Sequence, residues 1–375
     1  MVGAGPAGLG VAACLVARRV GVIVLEQGDD VASSWWKGYD RLRLNTSSWF
    51  SHLPDKRFPR HLGRWISRDD LIRYYRDYAD ERHLRIHTGV TADRIDRIDG
   101  GWRVQTSRGP RDAAFVVVAT GRQRAPVIPE WPGLPNFPGP VIHSADYRNA
   151  NPFDGQRVLV VGTGNSGSDI SLDLAGGGAA KVWLSARRPP HLVPREVIHL
   201  PHDLLGVTGR RLPRRFVDAN ARLIRRLTIG NLQDVGLPTP DDGAVTRFEQ
   251  DGRVPTIDAG EFVQAVRARK VTIVAGVSAF SDGSALLADG AEVQPDAVIA
   301  ATGYHCGLDS LVGHLGVLDA EGVPLVHGGK DHPSAPRLYF AGFMDPRSGQ
   351  LRELRLQARR IARAVSRMPT TTVLT

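Results

Sequence analysis

Cysteine is almost absent from this 375-residue chain; Cys14 and Cys306 stand alone and far apart. The lack of any C-x-x-C pair argues against a dithiol redox centre and a thiolate metal site. Both cysteines are expected to be small buried residues, and so little cysteine fits a cytoplasmic setting. No run of about 18 apolar residues occurs, so no membrane span is expected. No basic segment followed by an apolar stretch opens the chain, so no signal peptide is expected. Strand-forming sequence is also scarce at the start. "MVGAGPAGLG" has only Met1 and Val2 before the first glycine of a turn that needs a buried strand leading into it.

The rest of the composition is that of an ordinary globular protein, 42% hydrophobic and 23% charged. The formal net charge is +9, carried mostly by arginine. The arginines are scattered rather than blocked, so nucleic acid is not an expected partner. GC-rich coding together with a basic groove for an anionic cofactor is the expected reason for them.

Two stretches follow one plan. In the first, Gly3, Gly5 and Gly8 form G-x-G-x-x-G, enclosing Pro6 and Ala7, before an Ala-rich helix over residues 8–19. The β-branched run "GVIVLE" then ends at Glu26, about 20 positions on, where a carboxylate can hold a ribose hydroxyl. In the second, "QRVLVVGTGNSGSDISLDLA" supplies a full strand, then Gly162, Gly164, Asn165, Ser166 and Gly167, then a helix. The next strand, "KVWLSARR", ends with Ser185, Arg187 and Arg188 in place of an acid. A carboxylate there would repel a 2′-phosphate, whereas arginine offers a bidentate partner. The first site reads as FAD or NAD and the second as NADP. Glycines without side chains let backbone N–H groups and a helix N-terminus approach a pyrophosphate in each. Ser166 is open between that contact and a helix cap.

The endings also match. "FVVVATGR" and "AVIAATGY" close on Thr120-Gly121 and Thr302-Gly303, both counted as cofactor contacts, and turn-rich alternating sequence before each predicts a small antiparallel layer. A Pro-dense segment, "RAPVIPEWPGLPNFPGP", joins the halves. The tail is a strand, a loop and a basic helix opening at Gln350, expected to return to the first half. The chain therefore reads as α/β, with two Rossmann-like, doubly wound parallel-sheet domains. The NADP domain (152–303) is inserted in the FAD domain (1–151 and 304–375), whose first strand is truncated.

Between the nucleotide motifs, "FPGPVIHSADYR" places Phe137, Gly139, His143, Tyr147 and Arg148 on F-x-G-x-x-x-H-x-x-x-[YF]-[KR]. This resembles the fingerprint of flavin-containing monooxygenases. Baeyer–Villiger enzymes usually carry Trp at the Tyr147 position, and fit less well. "YDRLRLNTSSWFSHLP", "HLVPREV", "RLPRRFVDANARLI" and "VPTIDAGEFV" resemble the plant YUCCA branch, which acts on indole-3-pyruvate; Ala300 departs from the Leu or Phe common in that pattern.

The resemblance implies that NADPH reduces FAD, that O2 adds at flavin C4a, and that one oxygen atom passes to a small organic substrate. It needs no Ser–His–Asp, Cys–His or paired-carboxylate set, and none stands out. It makes Asn45 the active-site amide, with a turn residue as the alternative. Gly342 and Phe343 match a late flavin-contacting turn, and Asp345 follows it. Trp36, with Trp35, would cover the flavin or adenine, or lie in the core. His143 is open between coupling to the bound nucleotide and a purely structural role. Residues 208–232 are basic and amphipathic, with Leu212, Phe216, Ala219, Leu223 and Leu227 near one face. A lid over the substrate tunnel fits the resemblance better than a membrane surface. A homodimer is left open. The competing functions are an NADPH-dependent flavoprotein reductase or oxidase without oxygen transfer, and a FAD-deficient relic.

The relic reading rests on the short start. Losing a central strand would leave buried N–H and C=O groups unpaired at about 1–3 kcal/mol each. It would also remove apolar burial of about 1.5–3 kcal/mol per side chain. A chain beginning at Met1 is expected to hold FAD poorly or misfold, and upstream residues completing the strand are the preferred reading.

Overall fold

In this computed structural model, residues 1–209, 212–252, 254–258, 260–344 and 346–367 are described. They group by contact into two units. The first comprises Met1–Trp36, Thr46–Ala125 and Tyr304–Thr375, and the second Lys37–Asn45 and Pro126–Gly303. The Pro-dense segment therefore groups with the second unit, as does Lys37–Asn45, which the sequence places among first-domain residues.

The first unit has a parallel sheet in the order Ile86–His87, Val24–Leu25, Val2, Val116–Val118, Leu338–Phe340. Val2 is a stub in the central position, yet it joins both neighbours. Its N–H donates to Val117 O (2.9 Å), and its carbonyl accepts from Ala119 N–H (2.8 Å). On the other side Gly3 N–H donates to Leu25 O and Leu25 N–H to Met1 O, both at 2.8 Å. The expectation of unpaired neighbours is thus corrected at Val2 and Leu25, whose backbone groups are bonded across the sheet. The Pro6–Val16 helix packs on the terminal helix, Gln350–Ser366. Leu351, Leu354, Ala358, Ile361 and Val365 of the terminal helix recur at three- and four-residue spacing and are buried. A Cβ on Gly10 would be 3.5 Å from that of Ala358, so the helices cross closely there. Ala92–Ile98, Gly101–Thr106 and Arg111–Ala113 form the antiparallel layer.

The second unit has five parallel strands in the order Thr272–Ala275, Lys181–Ala186, Arg157–Val161, Ala297–Ala300, Val141–His143. The plan repeats the first unit. The strand before the glycines is central, the strand after the helix lies on one side, and the Ala-Thr-Gly strand on the other. Val158, Val160, Ile170, Leu184 and Ile299 make one core face, and Leu159, Val161 and Val298 the other. Val277–Ser281, Ser284–Leu287 and Glu292–Val293 form the second antiparallel layer. The edge strand Val141–His143 directly follows Pro140, tolerable at an edge where no ladder partner needs its N–H. Cys14 and Cys306 are both buried. Among the described residues no helix is long and apolar enough to cross a membrane.

His143 closes that edge strand. Ala145 N–H donates to its Nδ1 (3.0 Å), so the ring proton is on Nε2, which donates to Gly303 O (3.0 Å). Burial pushes its pKa below the ordinary 6.5, against the bond to Gly303 and the charge of Asp146. A depressed folded-state pKa means that this contribution is fully present above about 6.5. It is lost as pH falls from there through the folded-state value. The urea midpoint should therefore drop between about pH 7.5 and pH 5.5. His143→Gln should start about 1–2 kcal/mol less stable and show a shallower drop. An unchanged slope in the variant would remove His143 from the acid response.

Candidate cofactor sites

In the first unit the glycine turn is set by contact. Gly3 has φ +104°, and a Cβ there would press on Ala119 O. A Cβ on Gly8 would collide with Gly3 O, whereas one on Gly5 would meet nothing within 4 Å. Gly5 is the N-cap of the Pro6–Val16 helix, with extended backbone and no side-chain cap. Pro6, at the first turn, has no N–H to leave unsatisfied. A helix start without a side-chain cap and with open space at Gly5 leaves room for an anion at its first-turn N–H groups.

Other polar atoms gather around that turn. Thr120 N lies 3.2 Å from the position of a Gly3 Cβ, and Thr120 Oγ1 is buried without a partner among the described residues. Gly121 follows at φ +81°. Gly342, at φ +94°, would bring a Cβ within 3.3 Å of the Ala7 Cβ. Its N–H donates to Gln357 Oε1 and its carbonyl accepts from Gln350 Nε2, both at 3.0 Å. Gln350 Oε1 is a second buried acceptor without a partner among the described residues. An open, uncapped helix end beside two unsatisfied polar atoms fits a large phosphate-bearing cofactor such as FAD.

Glu26 is buried and already engaged. Its Oε2 accepts from Ala4 N–H (2.7 Å), and its Oε1 from Gly28 N–H (2.9 Å) and Ser33 Oγ (2.8 Å). A carboxylate has about four acceptor positions, so one remains for a ribose hydroxyl. The Phe343 side chain is a core residue, edge-on to Phe340 at 6.1 Å. Trp36 donates to Val31 O (3.2 Å) and carries the Arg76 guanidinium 4.2 Å from its ring centre, which covers one face. Trp35 packs 6.3 Å from Tyr75. Asp345 lies outside the described residues.

The second unit repeats the turn. Gly162 has φ +116° and abuts Ala301 O, a Cβ on Gly167 would collide with Gly162 O, and one on Gly164 would meet nothing. Gly164 is again an N-cap without a side-chain bond. Ser166 is in the first turn, half-buried. Several residues expected at the nucleotide hold protein instead. Asn165 Oδ1 accepts from Ile257 N–H (2.8 Å), clamping the Thr256–Asp258 strand, and Thr256 Oγ1 donates to Thr163 O (2.7 Å). Ser185 Oγ donates to Ala275 O (2.8 Å) across the sheet. Thr302 Oγ1 donates to Val127 O, unlike its counterpart Thr120. Gly303, at φ +94°, gives its carbonyl to His143 and Val127. Arg187 and Arg188 are exposed beyond the strand end, where a 2′-phosphate can reach them. An open helix end with two exposed guanidinium groups fits NADP.

Asn45 also belongs to the second unit. Arg195 Nη2 donates to its Oδ1 at 3.2 Å. A guanidinium only donates, so the amide oxygen must face it and the NH2 end is left for a ligand. Nearby, Tyr39 OH donates to Asp169 Oδ2 (2.7 Å). Burial raises the Asp169 carboxyl pKa, opposed by the hydrogen bond from Tyr39 and the charges of Arg195 and Arg41. Sequence reasoning missed Arg195, Asp169 and Tyr39 as members of this site, although "HLVPREV" carries the arginine.

A family model described as pyridine nucleotide-disulphide oxidoreductase matches residues 1–194. The probable indole-3-pyruvate monooxygenase YUCCA7 of Arabidopsis thaliana is 35% identical over 358 residues, covering 92% of this chain and 82% of that protein. The flavin-containing monooxygenase from Stenotrophomonas maltophilia superposes with a TM-score of 0.71 at 24% identity, covering 97% of this chain and 96% of that one. The OTEMO complex with FAD and NADP superposes with a TM-score of 0.71 at 18% identity, covering 97% and 84%. These two structures speak for the fold. With a relative at 35% identity aligned over 92% of its length, the chain belongs to the flavin-containing monooxygenases of the YUCCA type, which use FAD and NADPH to place one oxygen atom of O2 in a small organic molecule.

Proposed function

We propose that this monooxygenase acts on an aromatic 2-oxo acid, with FAD at the Gly3–Gly8 turn and NADPH at the Gly162–Gly167 turn. The observation that carries the substrate class is the 35% identity to a protein named for indole-3-pyruvate. FAD, when bound, supplies the redox and oxygen-transfer chemistry. The chain's own residues bind and orient. The Pro6–Val16 helix end takes the FAD pyrophosphate, Glu26 a ribose hydroxyl, and Thr120 and Gln350 further polar groups. The Gly164 N-cap takes the NADPH pyrophosphate, and Arg187 with Arg188 its 2′-phosphate. Asn45, held by Arg195, presents its NH2 as a donor at the reacting centre. The domains are proposed as an FAD domain interrupted by an NADP domain. A cytoplasmic location is proposed with them, supported by two buried cysteines that form no disulfide.

The deciding experiment offers phenylpyruvate and indole-3-pyruvate with NADPH and 18O2 to the flavin-loaded protein. One labelled oxygen atom should appear in the organic product for each NADPH oxidised. NADPH consumed entirely to hydrogen peroxide, whichever acid is present, would instead support the oxidase reading.

The glycines separate folding from binding. Gly8→Ala should cost at least about 1–3 kcal/mol in urea unfolding, because backbone must move. Gly5→Ala has room and an ordinary φ, so its unfolding should shift by less than about 0.5 kcal/mol. Its flavin content after purification should nevertheless fall, because the new methyl occupies the approach to the helix end. Arg195→Met removes the bond that orients Asn45. Product formed per NADPH should drop about tenfold or more, with flavin content retained. Arg195→Met with unaltered coupling would remove that role for the arginine.

A further inference from the structure

The Arg214–Thr228 helix is inside out. Its sequence, "RRFVDANARLIRRLT", buries the charged Asp218 (5% exposed) and Arg225 (8% exposed), seven residues apart on one face. Asp218 accepts from Val245 N–H and Thr246 Oγ1, both at 2.7 Å, and so ties down the start of the Ala244–Asp251 helix. Arg225 Nη1 donates to Thr239 Oγ1 at 2.9 Å. These inward bonds fix the helix's rotation. The outer side then carries Phe216 (54% exposed), Leu223 (54%) and Leu227 (76%), which form one stripe at i, i+7 and i+11. Beside it, Arg215, Arg222 and Arg226 form a second exposed stripe at i, i+7 and i+11. The helix's own acid, Asp218, is turned inward.

We infer that this helix docks the protein on an anionic lipid surface, with the leucine and phenylalanine stripe at the acyl boundary and the arginine stripe among the phosphates. A short helix with Phe and Leu on one side and arginine along the other is the composition that such surfaces hold. A spanning role does not fit, because 15 residues reach about 22 Å at a rise of about 1.5 Å each, short of a hydrocarbon core of about 30 Å. A second copy of this chain is the weaker occupant. Pairing two such helices would bring their arginine stripes together in a chain whose net charge is already +9. The same unit exposes Ile198 (89%) and Leu205 (46%), so apolar exposure is not confined to the one helix. The sequence alone favoured a lid for this segment; the outward-facing apolar stripe is what turns the reading toward a lipid surface. The inference does not depend on the substrate proposal.

The test is flotation of the full-length protein with vesicles of phosphatidylcholine, with and without phosphatidylglycerol. Binding is expected only to the anionic vesicles and should fade as salt is raised and the Debye length shrinks from about 10 Å at 0.1 M to about 3 Å at 1 M. R215Q/R222Q/R226Q should weaken it by about fivefold per arginine. The charge-matched R60Q/R85Q/R269Q, at exposed positions elsewhere, should weaken it far less. Thermal unfolding of each variant checks that it is folded. Because both native cysteines are buried, a polarity-sensitive dye on L227C reports the face directly. A blue shift on anionic vesicles is expected, and none from the same dye on R269C. No flotation at low salt, equal loss in the control triple, or an unshifted dye at position 227 would each overturn the inference. A dimer that F216S/L223S/L227S converts to monomer, without vesicle binding by the parent, would assign the face to a second copy instead.

Discussion

In each unit a glycine carbonyl occupies the space where another glycine's side chain would be. Gly3 O lies against Gly8, and Gly162 O against Gly167. No other residue type at position 8 or 167 allows that approach, and the approach sets the angle at which the helix leaves the strand. A third segment joins from far along the chain, through Ala119 O against Gly3 and Ala301 O against Gly162. Three backbones therefore meet at one point, and the space beside Gly5 and Gly164 at the uncapped helix ends stays open. A glycine in place of a capping side chain costs only about a few tenths of a kcal/mol, and a bound phosphate supplies the missing acceptor and favourable charge. A phosphate bound in that opening would complete the helix end that the chain itself leaves uncapped.

From that shared point the two units diverge in their polar atoms. Thr120 leaves its hydroxyl without a partner among the described residues, whereas Thr302 gives its own to Val127 O. Glu26 keeps one acceptor position after bracing the turn, whereas Ser185 is turned into the sheet and exposed arginines follow it. One scaffold thus offers acceptors and a carboxylate in the first unit and cations in the second. That difference supports the proposed assignment of FAD to the first turn and NADPH to the second, on the same strand order.

These contrasts were legible to different depths. The glycine turns, the helices after them and the Ala-Thr-Gly endings follow from local backbone demands, which leave short-range patterns in a sequence. The partners of Asn165, Asn45 and Tyr39 do not. Each bond joins residues about 90–150 positions apart, and neither end carries a spacing that announces the other. The pairing of Val2 was missed for a related reason, since its neighbours, strands of two and three residues, come from positions 24–25 and 116–118. On the Arg214–Thr228 helix, periodicity identified an apolar face but not its direction. Rotation there is set by Asp218 and Arg225, whose partners Val245, Thr246 and Thr239 lie 14 to 28 positions on.

The fingerprint between the glycine motifs gains a physical meaning from the same kind of contact. Phe137 packs edge-on against Phe280 at 5.4 Å, and a Cβ on Gly139 would collide with Asp296 O. His143 joins Gly303, and Tyr147 OH donates to Asp173 Oδ2 at 2.7 Å on the second nucleotide helix. Arg148 then donates to Gly38 O (2.8 Å) and accepts from Asp40 N–H (2.8 Å), while Asn149 donates to Asp40 Oδ2 (2.8 Å). Lys37–Asn45 is pinned further by Tyr39 to Asp169 and by Arg41 to Glu261. Every one of these bonds lies within the second unit. The fingerprint therefore acts as a buckle, fastening the segment that ends at Asn45 onto the sheet and helix of the second nucleotide turn. Asn45, proposed as the active-site amide, is in this way held by the sheet and helix of the second unit. A change in the fingerprint would then shift Asn45 through this fastening.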